Sequence, residues 1–168
     1  MSRKAIEAVA VFERSRALKG YVTLKETSKG TTITAHVDGL KPNREYAWHI
    51  HEAGDLRVPT GKSKPCDGAC AHYNPHNKNH GGPRSRDRHV GDLGNIKTDS
   101  NGSSRSSVTL SSVKLHGKYS VIGRSIVIHI KADDMGKGGT EESLKTGSAG
   151  ARIACGVIGY AKGSRLYF

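Results

Sequence analysis

Alternation of apolar and polar residues at every second position is the feature that most limits how this chain can fold. It is clearest at 31–37, where Ile33, Ala35 and Val37 would point to one side of a strand and the residues between them to the other. Similar runs recur at 5–12, 20–25, 45–51, 95–98, 105–110, 118–122, 125–130 and 152–161. Turn-forming residues separate them, and no stretch shows helical periodicity. The sequence therefore predicts an all-β fold, a sandwich or a barrel.

Length and charge narrow the class of protein. A chain of 168 residues is long enough for one domain with a full hydrophobic core, and we expect a single domain over residues 1–168. The net charge is +12, from 27 Lys and Arg against 15 Asp and Glu, which suits attraction to nucleic acid, an acidic surface or a small anion. Because the basic residues are scattered and not interleaved with aromatic ones, a nucleic-acid partner is not expected.

The sequence also bears on location. No apolar run approaches the length that spans a membrane, so no membrane partner is expected. The short apolar stretch near the start is interrupted by Glu7 and does not have the pattern of a secretory signal. We therefore expect a cytoplasmic protein. The three cysteines, Cys66, Cys70 and Cys155, are an odd number, and their spacing does not fix which of them pair.

Two segments are too long and too polar to be ordinary turns, at 55–93 and 132–150. Loops of this length inside a compact domain are usually functional or disordered. The first contains four of the nine histidines as well as two cysteines, which argues against a simple linker. We therefore expect an interaction that holds this loop in place.

Histidines supply the candidate site. His49 and His51 stand two apart on a predicted strand, so both imidazoles would project from one face, a spacing more often found on a solvated surface than at a metal. Farther along, the three histidines and one carboxylate of a closed tetrahedral Zn²⁺ site are available, unless the loop is merely rich in histidine. They are His72, His80, His89 and Asp92. His129, on an apolar strand, could complete an imidazole set suited to copper or could be structural.

Eleven motifs along the chain have the sequence and order of those in one enzyme family. They are 49–52 (HIHE), 72–75 (HYNP), 80–83 (HGGP), 88–95 (RHVGDLGN), 123–125 (GRS), His129, 131–134 (KADD), 138–139 (GG), 141–143 (EES), 145–147 (KTG) and 152–159 (RIACGVIG). On these motifs the chain resembles the copper/zinc superoxide dismutases nearly end to end. The resemblance implies an eight-stranded Greek-key β-barrel, a flattened sandwich, with two long functional loops. The family is also among those with sandwich architecture.

The resemblance implies one copper and one zinc per chain and an enzyme that converts two superoxide radicals to O₂ and hydrogen peroxide. Copper would be bound by His49, His51, His72 and His129, and zinc by His72, His80, His89 and Asp92. His72 would bridge the two ions as imidazolate, and the redox-inactive zinc would hold it in place. Asp133 would link His49 to His80 and so fix both rings.

The resemblance also implies a path for the superoxide anion and an intrachain disulfide. Arg152 would bind the anion beside the copper, and Thr146 would narrow the entrance. Charged residues would shape the field there: Lys131, Lys145, Glu141 and Glu142. Cys66 and Cys155 would form the disulfide, although disulfides are unusual in the cytosol.

Family membership further implies a homodimer and a copper chaperone as partner. The segment 56–65 is longer than the family pattern, which puts the dimer geometry in question. Cys70 could compete for Cys155 or take part in a small structural zinc site. Three histidines, His36, His76 and His116, match no ligand and are predicted to lie at the surface.

Two other functions are also compatible with the sequence. One is a metal-binding or copper-delivery module without dismutase activity, although such a module would be expected to lack part of the ligand set or Arg152. The other is a basic nucleic-acid-binding barrel, whose affinity would fall steeply with salt.

Overall fold

The computed structural model describes residues 5–12, 18–57 and 64–164. Within these ranges eight strands make up nearly all of the regular structure. They are β1 (Ile6–Val11), β2 (Lys19–Thr27), β3 (Gly30–Asp38), β4 (Glu45–His51), β5 (Asp92–Lys97), β6 (Ser107–Leu110), β7 (Ser125–His129) and β8 (Arg152–Tyr160). A turn of 3-10 helix covers Asp67–Ala69, and one short helix, α1, covers Glu141–Thr146.

The strands form one antiparallel sheet in the order β5-β4-β7-β8-β1-β2-β3-β6. The connection from β3 to β4 crosses to the other half of the sheet, so that β6 returns beside β3 and β7 beside β4. The sheet curls into a nearly closed barrel with Greek-key connections, which confirms the predicted fold class. No helix in the described parts of the chain has the length and apolar character needed to cross a bilayer.

The barrel interior is built by the predicted alternation. On β3, Ile33, Ala35 and Val37 are fully buried, whereas the residues between them are partly exposed. Trp48 and Ile50 enter the same core from β4. β4 is buried on both faces, because its other face lies under the long loops. That second face carries His49 and His51.

Two predictions of local structure are wrong. Residues 118–122 form a turn with one isolated bridge from Ser120 to Lys114, because Gly117 and Gly123 bend the chain with φ of 76° and 81°. Val121 is apolar because it packs in the core from this turn, and this gave the segment the apolar alternation of a strand. The helix α1 was not predicted, because six residues are too few to show a helical period.

Capping residues explain why α1 forms. The side chain of Thr140 accepts a hydrogen bond from the backbone N–H of Ser143 at 3.1 Å, and Gly147 ends the helix in the left-handed conformation, with φ of 67°. A β-carbon on Gly147 would also collide with the Asp133 carboxylate and reach within 2.5 Å of His80 Nε2. The helix end is therefore packed directly on residues of the predicted metal site.

The first long loop ends earlier than predicted. β5 begins at Asp92, which pairs with His49 across the β4–β5 ladder at a β-bulge. This pairing places a predicted zinc ligand at the start of a strand rather than within the loop. Residues 58–63 of the predicted 56–65 extension lie outside the described residues.

Candidate metal centre

Strand pairing brings histidines from two elements together. β4 and β7 are neighbours, with His51 opposite Ser125 and Trp48 opposite Ile128. His129 stands at the other end of the β4–β7 ladder from His51, but the two side chains extend toward each other, and their Nε2 atoms are 3.2 Å apart. Both side chains are buried, with exposures of 1% and 4%.

The protonation of these two rings indicates a cation site. His51 Nδ1 donates to the carbonyl of Cys70 at 2.8 Å, and His129 Nδ1 donates to the carbonyl of Gly150 at 3.0 Å. Burial lowers the pKa of His51 well below its usual value and that of His129 to about 4, so both rings are neutral at pH 7. A neutral imidazole carries one N–H, and both Nε2 lone pairs therefore face each other. Two facing lone pairs repel each other, and a metal ion bound between them would accept both as ligands.

Asp133 fixes the orientation of two further rings. Its Oδ2 accepts from His49 Nε2 and its Oδ1 from His80 Nε2, each at 2.8 Å. Each Nδ1 is thereby aimed inward; that of His49 is buried without a hydrogen-bond partner, whereas that of His80 faces Asp92 Oδ1 at 2.9 Å. Burial is the main cause that lowers the pKa of His49, whereas the carboxylates of Asp133 and Asp92 overcome burial and raise the pKa of His80 to about 9.

Asp92 lies at the centre of the predicted zinc ligands. Its Oδ1 is 3.0, 2.9 and 3.2 Å from the Nδ1 atoms of His72, His80 and His89. Its Oδ2 accepts from the backbone N–H groups of Gly81 at 3.1 Å and His89 at 2.8 Å. Burial opposes its ionisation, but the three histidines hold the pKa of Asp92 well below its usual value. Three imidazoles around one carboxylate match the ligand set of a tetrahedral zinc ion.

His72 lies between the two groups of ligands. Its Nδ1 faces Asp92, whereas its Nε2 is buried without a hydrogen-bond partner. Its ring centroid is 3.9 Å from that of His49. Among the described residues, two sets of ligand atoms lie close enough to hold an ion: the set His49, His51, His72 and His129, and the set His49, His72, His80 and Asp92.

His89 stands beside the second of these sets, with its Nδ1 3.4 Å from His72 Nδ1. The residues present fit two metal ions that share one imidazole. The fit rests on buried nitrogen atoms that have no other partner.

Arg152 lies beside His51, one of the four histidines of the first ligand set, the copper-side histidines His49, His51, His72 and His129. It is half-buried on β8, and its guanidinium donates to the carbonyls of Cys66 at 2.6 Å and Cys70 at 2.5 Å. The Cys70 carbonyl also accepts from His51, so one main-chain oxygen joins the guanidinium to a copper-side ring. Burial lowers the pKa of Arg152 from its usual value near 12.5.

The other residues of the predicted anion path lie on or beside α1. Lys145 forms an exposed ion pair with Glu141 at 2.5 Å. Thr146 Oγ1 donates to Glu142 Oε1 at 2.6 Å. Lys131 is exposed, and its stem packs close to Gly150.

The disulfide prediction is confirmed. Cys66 in the first long loop is joined to Cys155 on β8, and Cys70 is a free, exposed thiol. The competing Cys70–Cys155 pair is therefore wrong. His36, His76 and His116 lie apart from the cluster, and the first is only partly exposed because it stacks on Tyr21.

Sequence reasoning missed the main-chain groups of the site. The carbonyls of Cys70 and Gly150 set the tautomers of His51 and His129, but a carbonyl is present at every residue and leaves no signal in the sequence. A weak signal existed for Gly147, since a glycine after a capped segment is typical of a helix end.

Comparison with known proteins agrees with this geometry. The family model described as copper/zinc superoxide dismutase (SODC) matches residues 18–158. A protein of Paramecium bursaria Chlorella virus 1, named superoxide dismutase [Cu-Zn], is 52% identical over 159 residues, which cover 95% of this chain and 81% of the viral protein. Proteins of that name from Candida glabrata and Saccharomyces cerevisiae are 52% and 48% identical over 156 residues, covering 92% of this chain and 97% of each relative.

A solved structure has the same fold. The crystal structure described as that of the clock protein EA4 superposes with a TM-score of 0.84 at 40% identity, covering 96% of this chain and 98% of that one.

Proposed function

The chain belongs to the copper/zinc superoxide dismutase family, and from that membership we propose which of its residues carry out the dismutation of superoxide. The protein is an oxidoreductase that converts two superoxide radicals to O₂ and hydrogen peroxide. Bound copper supplies the one-electron chemistry, alternately accepting an electron from one superoxide and giving it to another, while zinc keeps the bridging histidine in place.

One observation carries the residue assignment. The unprotonated Nε2 atoms of His51 and His129 face each other at 3.2 Å. Nδ1 of His49 and Nε2 of His72 are buried without hydrogen-bond partners. These four nitrogens are proposed as the copper ligands. We assign Nδ1 of His72, His80 and His89, with Asp92, to zinc. Asp133 positions two of the rings through the hydrogen bonds that fix their tautomers.

His72 is proposed as the proton carrier. Its Nδ1 faces Asp92 in the zinc-side group, so Nε2 is the nitrogen that would be free to hold a proton. A proton held at Nε2 lies beside the anion site and can pass to the second superoxide as it becomes peroxide. The burial of His72 limits competing proton exchange with solvent.

Arg152 is proposed to bind the superoxide anion. Its guanidinium is anchored by loop carbonyls, which leaves it oriented beside His51 before any anion arrives. The side chain of Thr146 limits the entrance, and Glu142 keeps that hydroxyl in place. Lys131, Lys145, Glu141 and Glu142 set the local field, in which the paired Lys145 contributes less than a free lysine would.

A superoxide assay on metal-loaded variants tests the assignment. We expect His72→Ala to lose most of its activity, because one ring serves both metal groups, and to bind less copper and zinc. His76→Ala is the matched control, since His76 is an exposed histidine of the same loop outside the cluster. Full activity in His72→Ala would remove the bridging role. A delivery module without catalysis is not favoured, but it would be recognised by normal metal content without activity in the unaltered protein.

We further propose that the protein forms a homodimer through β1 and β8. Val11 and Val157 are 46% and 43% exposed there, beside a groove of about 500 Å³ that is also lined by Gly54. Apolar exposure of this kind favours association. Sedimentation equilibrium should report a dimer, and Val157→Glu should shift it to a monomer. Tyr21→Glu, at an equally exposed residue on β2, should leave the dimer unchanged.

A cytoplasmic location and copper loading by a chaperone complete the proposal. The exposed thiol of Cys70 favours a reducing compartment. The burial of the copper-side histidines favours assisted loading over capture of the free ion.

A further inference from the structure

A groove lies beside Arg152 and Gly150, which border the copper-side histidines. It has a volume of about 460 Å³ and is lined by residues of the first long loop and of the segment before β8: Lys64, Pro65, Asp67, Glu142, Gly150, Ala151 and Arg152. It borders the site, because the Gly150 carbonyl accepts from His129 and Arg152 shares a carbonyl acceptor with His51. An anion that reaches the copper from this side must cross the groove.

The charges along the groove are not balanced without Lys64. Asp67 and Glu142 contribute two carboxylates, and among the described residues Arg152 is the only other cation in the lining. Removing Lys64 would leave one positive charge against two negative ones. Repulsion from the two carboxylates would then weaken the attraction of Arg152 for an approaching anion.

The position of Lys64 is fixed by the loop. Its backbone N–H donates to Asp67 Oδ2 at 2.8 Å, and its carbonyl accepts from the backbone N–H of Asp67 at 3.3 Å. Its side chain is exposed, and no acidic group among the described residues forms an ion pair with it. Lys145, by contrast, is paired with Glu141. Lys64 is therefore a free positive charge held at the rim.

We propose that Lys64 is a steering residue for superoxide, a role that rests on the proposed function of the site. The residue lies at the end of the extended segment 56–65, so this extension supplies the groove with a cation. Lys64 touches neither metal ligand nor reacting atom. It acts on the rate of capture and on the occupancy of the anion site beside Arg152.

Coulomb's law gives the expected effect of Lys64 on the rate of superoxide capture. A unit charge roughly 10 Å from the path of a monovalent anion changes its local concentration about twofold in water. We expect Lys64→Gln to lower the second-order rate constant about twofold at low ionic strength, and Lys64→Glu about fourfold. Lys64→Arg should restore the rate. The differences should shrink at about 0.15 M salt, where the screening length is roughly 8 Å.

The experiment compares these variants with Lys29→Gln at equal copper content. Lys29 lies in the turn between β2 and β3, lines no part of the groove, and its loss changes the net charge equally. Azide, a small anion that binds copper(II), gives a second measurement through its visible absorption. Its dissociation constant should rise about twofold in Lys64→Gln and stay unchanged in Lys29→Gln.

The outcomes separate this inference from the proposed function. An active, salt-sensitive parent enzyme in which Lys64→Gln matches Lys29→Gln in both rate and azide binding would overturn the steering role and leave the function intact. An inactive parent enzyme with full metal content would overturn the proposed function itself. A loss in Lys64→Gln that Lys64→Arg does not restore would assign the effect to structure and also overturn steering.

Discussion

Cys70 shows how one residue can be constrained by its neighbours at the site. Its backbone has φ of 63° and ψ of −149°, a region that is essentially restricted to glycine. Its carbonyl accepts hydrogen bonds from both His51 and Arg152. The backbone is therefore held in an unfavourable conformation that points one oxygen at two groups of the site.

We predict that Cys70→Gly stabilises the protein. Strain of this kind costs about 1 to 3 kcal/mol, and the extra flexibility of glycine in the unfolded chain offsets about 0.5 to 1 kcal/mol of the relief. The free energy of unfolding, measured in urea at equal metal content, should rise by about 1 kcal/mol. Cys70→Ala is the control, because it removes the thiol and keeps the β-carbon. Equal stability of the Gly and Ala variants would show that the backbone is not strained.

Residue identity in the candidate site could be anticipated, but its protonation could not. The motifs around His49, His80 and Asp92 stand in the chain order of a known family, so the resemblance supplied the candidate ligands. Which nitrogen of each ring is free depends on Asp133 and on two carbonyls from distant segments. Such contacts exist only after the long loops have folded over β4.

At the scale of elements, strand patterns were predicted where one face is buried and the other is not. β3 fits this rule, because its alternation matches its burial. The rule fails at 118–122, where Val121 is buried from a turn, and at α1, where local capping replaces periodicity. The pattern also could not predict what holds the first long loop in place, because that depends on a cross-link between residues 89 positions apart.

The disulfide fastens the first long loop to β8 at the edge of the anion groove. We predict that replacing both Cys66 and Cys155 by alanine lowers the free energy of unfolding by about 2 to 5 kcal/mol. Activity per bound copper should also fall, because the Cys66 carbonyl is one of the acceptors that hold Arg152. Urea unfolding and the superoxide assay measure the two effects. Cys70→Ala controls for the loss of a sulfur atom, and unchanged stability of the double variant would contradict the anchoring role.

At the scale of the whole molecule, the metal centre links two long loops to three strands through ionisable side chains. Metal ions that bind only the folded chain stabilise it. When they are removed, the stability of the protein depends on the protons that these side chains exchange. Neutral and charged histidines lie side by side in the metal-free cluster, and their pKa values are displaced in opposite directions.

We predict that the metal-free protein is most stable near pH 6.5 and loses stability on both sides. Histidines of the unfolded chain titrate near 6.5. The pKa of His129 is about 4 because of burial, so between pH 6.5 and 4 the unfolded chain binds a proton that the folded chain does not, and stability falls as pH falls. The pKa of His80 is about 9 because of Asp133 and Asp92, so between pH 6.5 and 9 the folded chain holds a proton that the unfolded chain has already lost, and stability falls as pH rises. Each change is on the order of 3 kcal/mol.

Urea unfolding near pH 4.5, 6.5 and 9 measures the free energy of unfolding of the protein after chelation, and the metal-loaded protein measures the contribution of all other groups. If the difference between the two forms did not vary with pH, the opposed titration of the two histidines would be refuted.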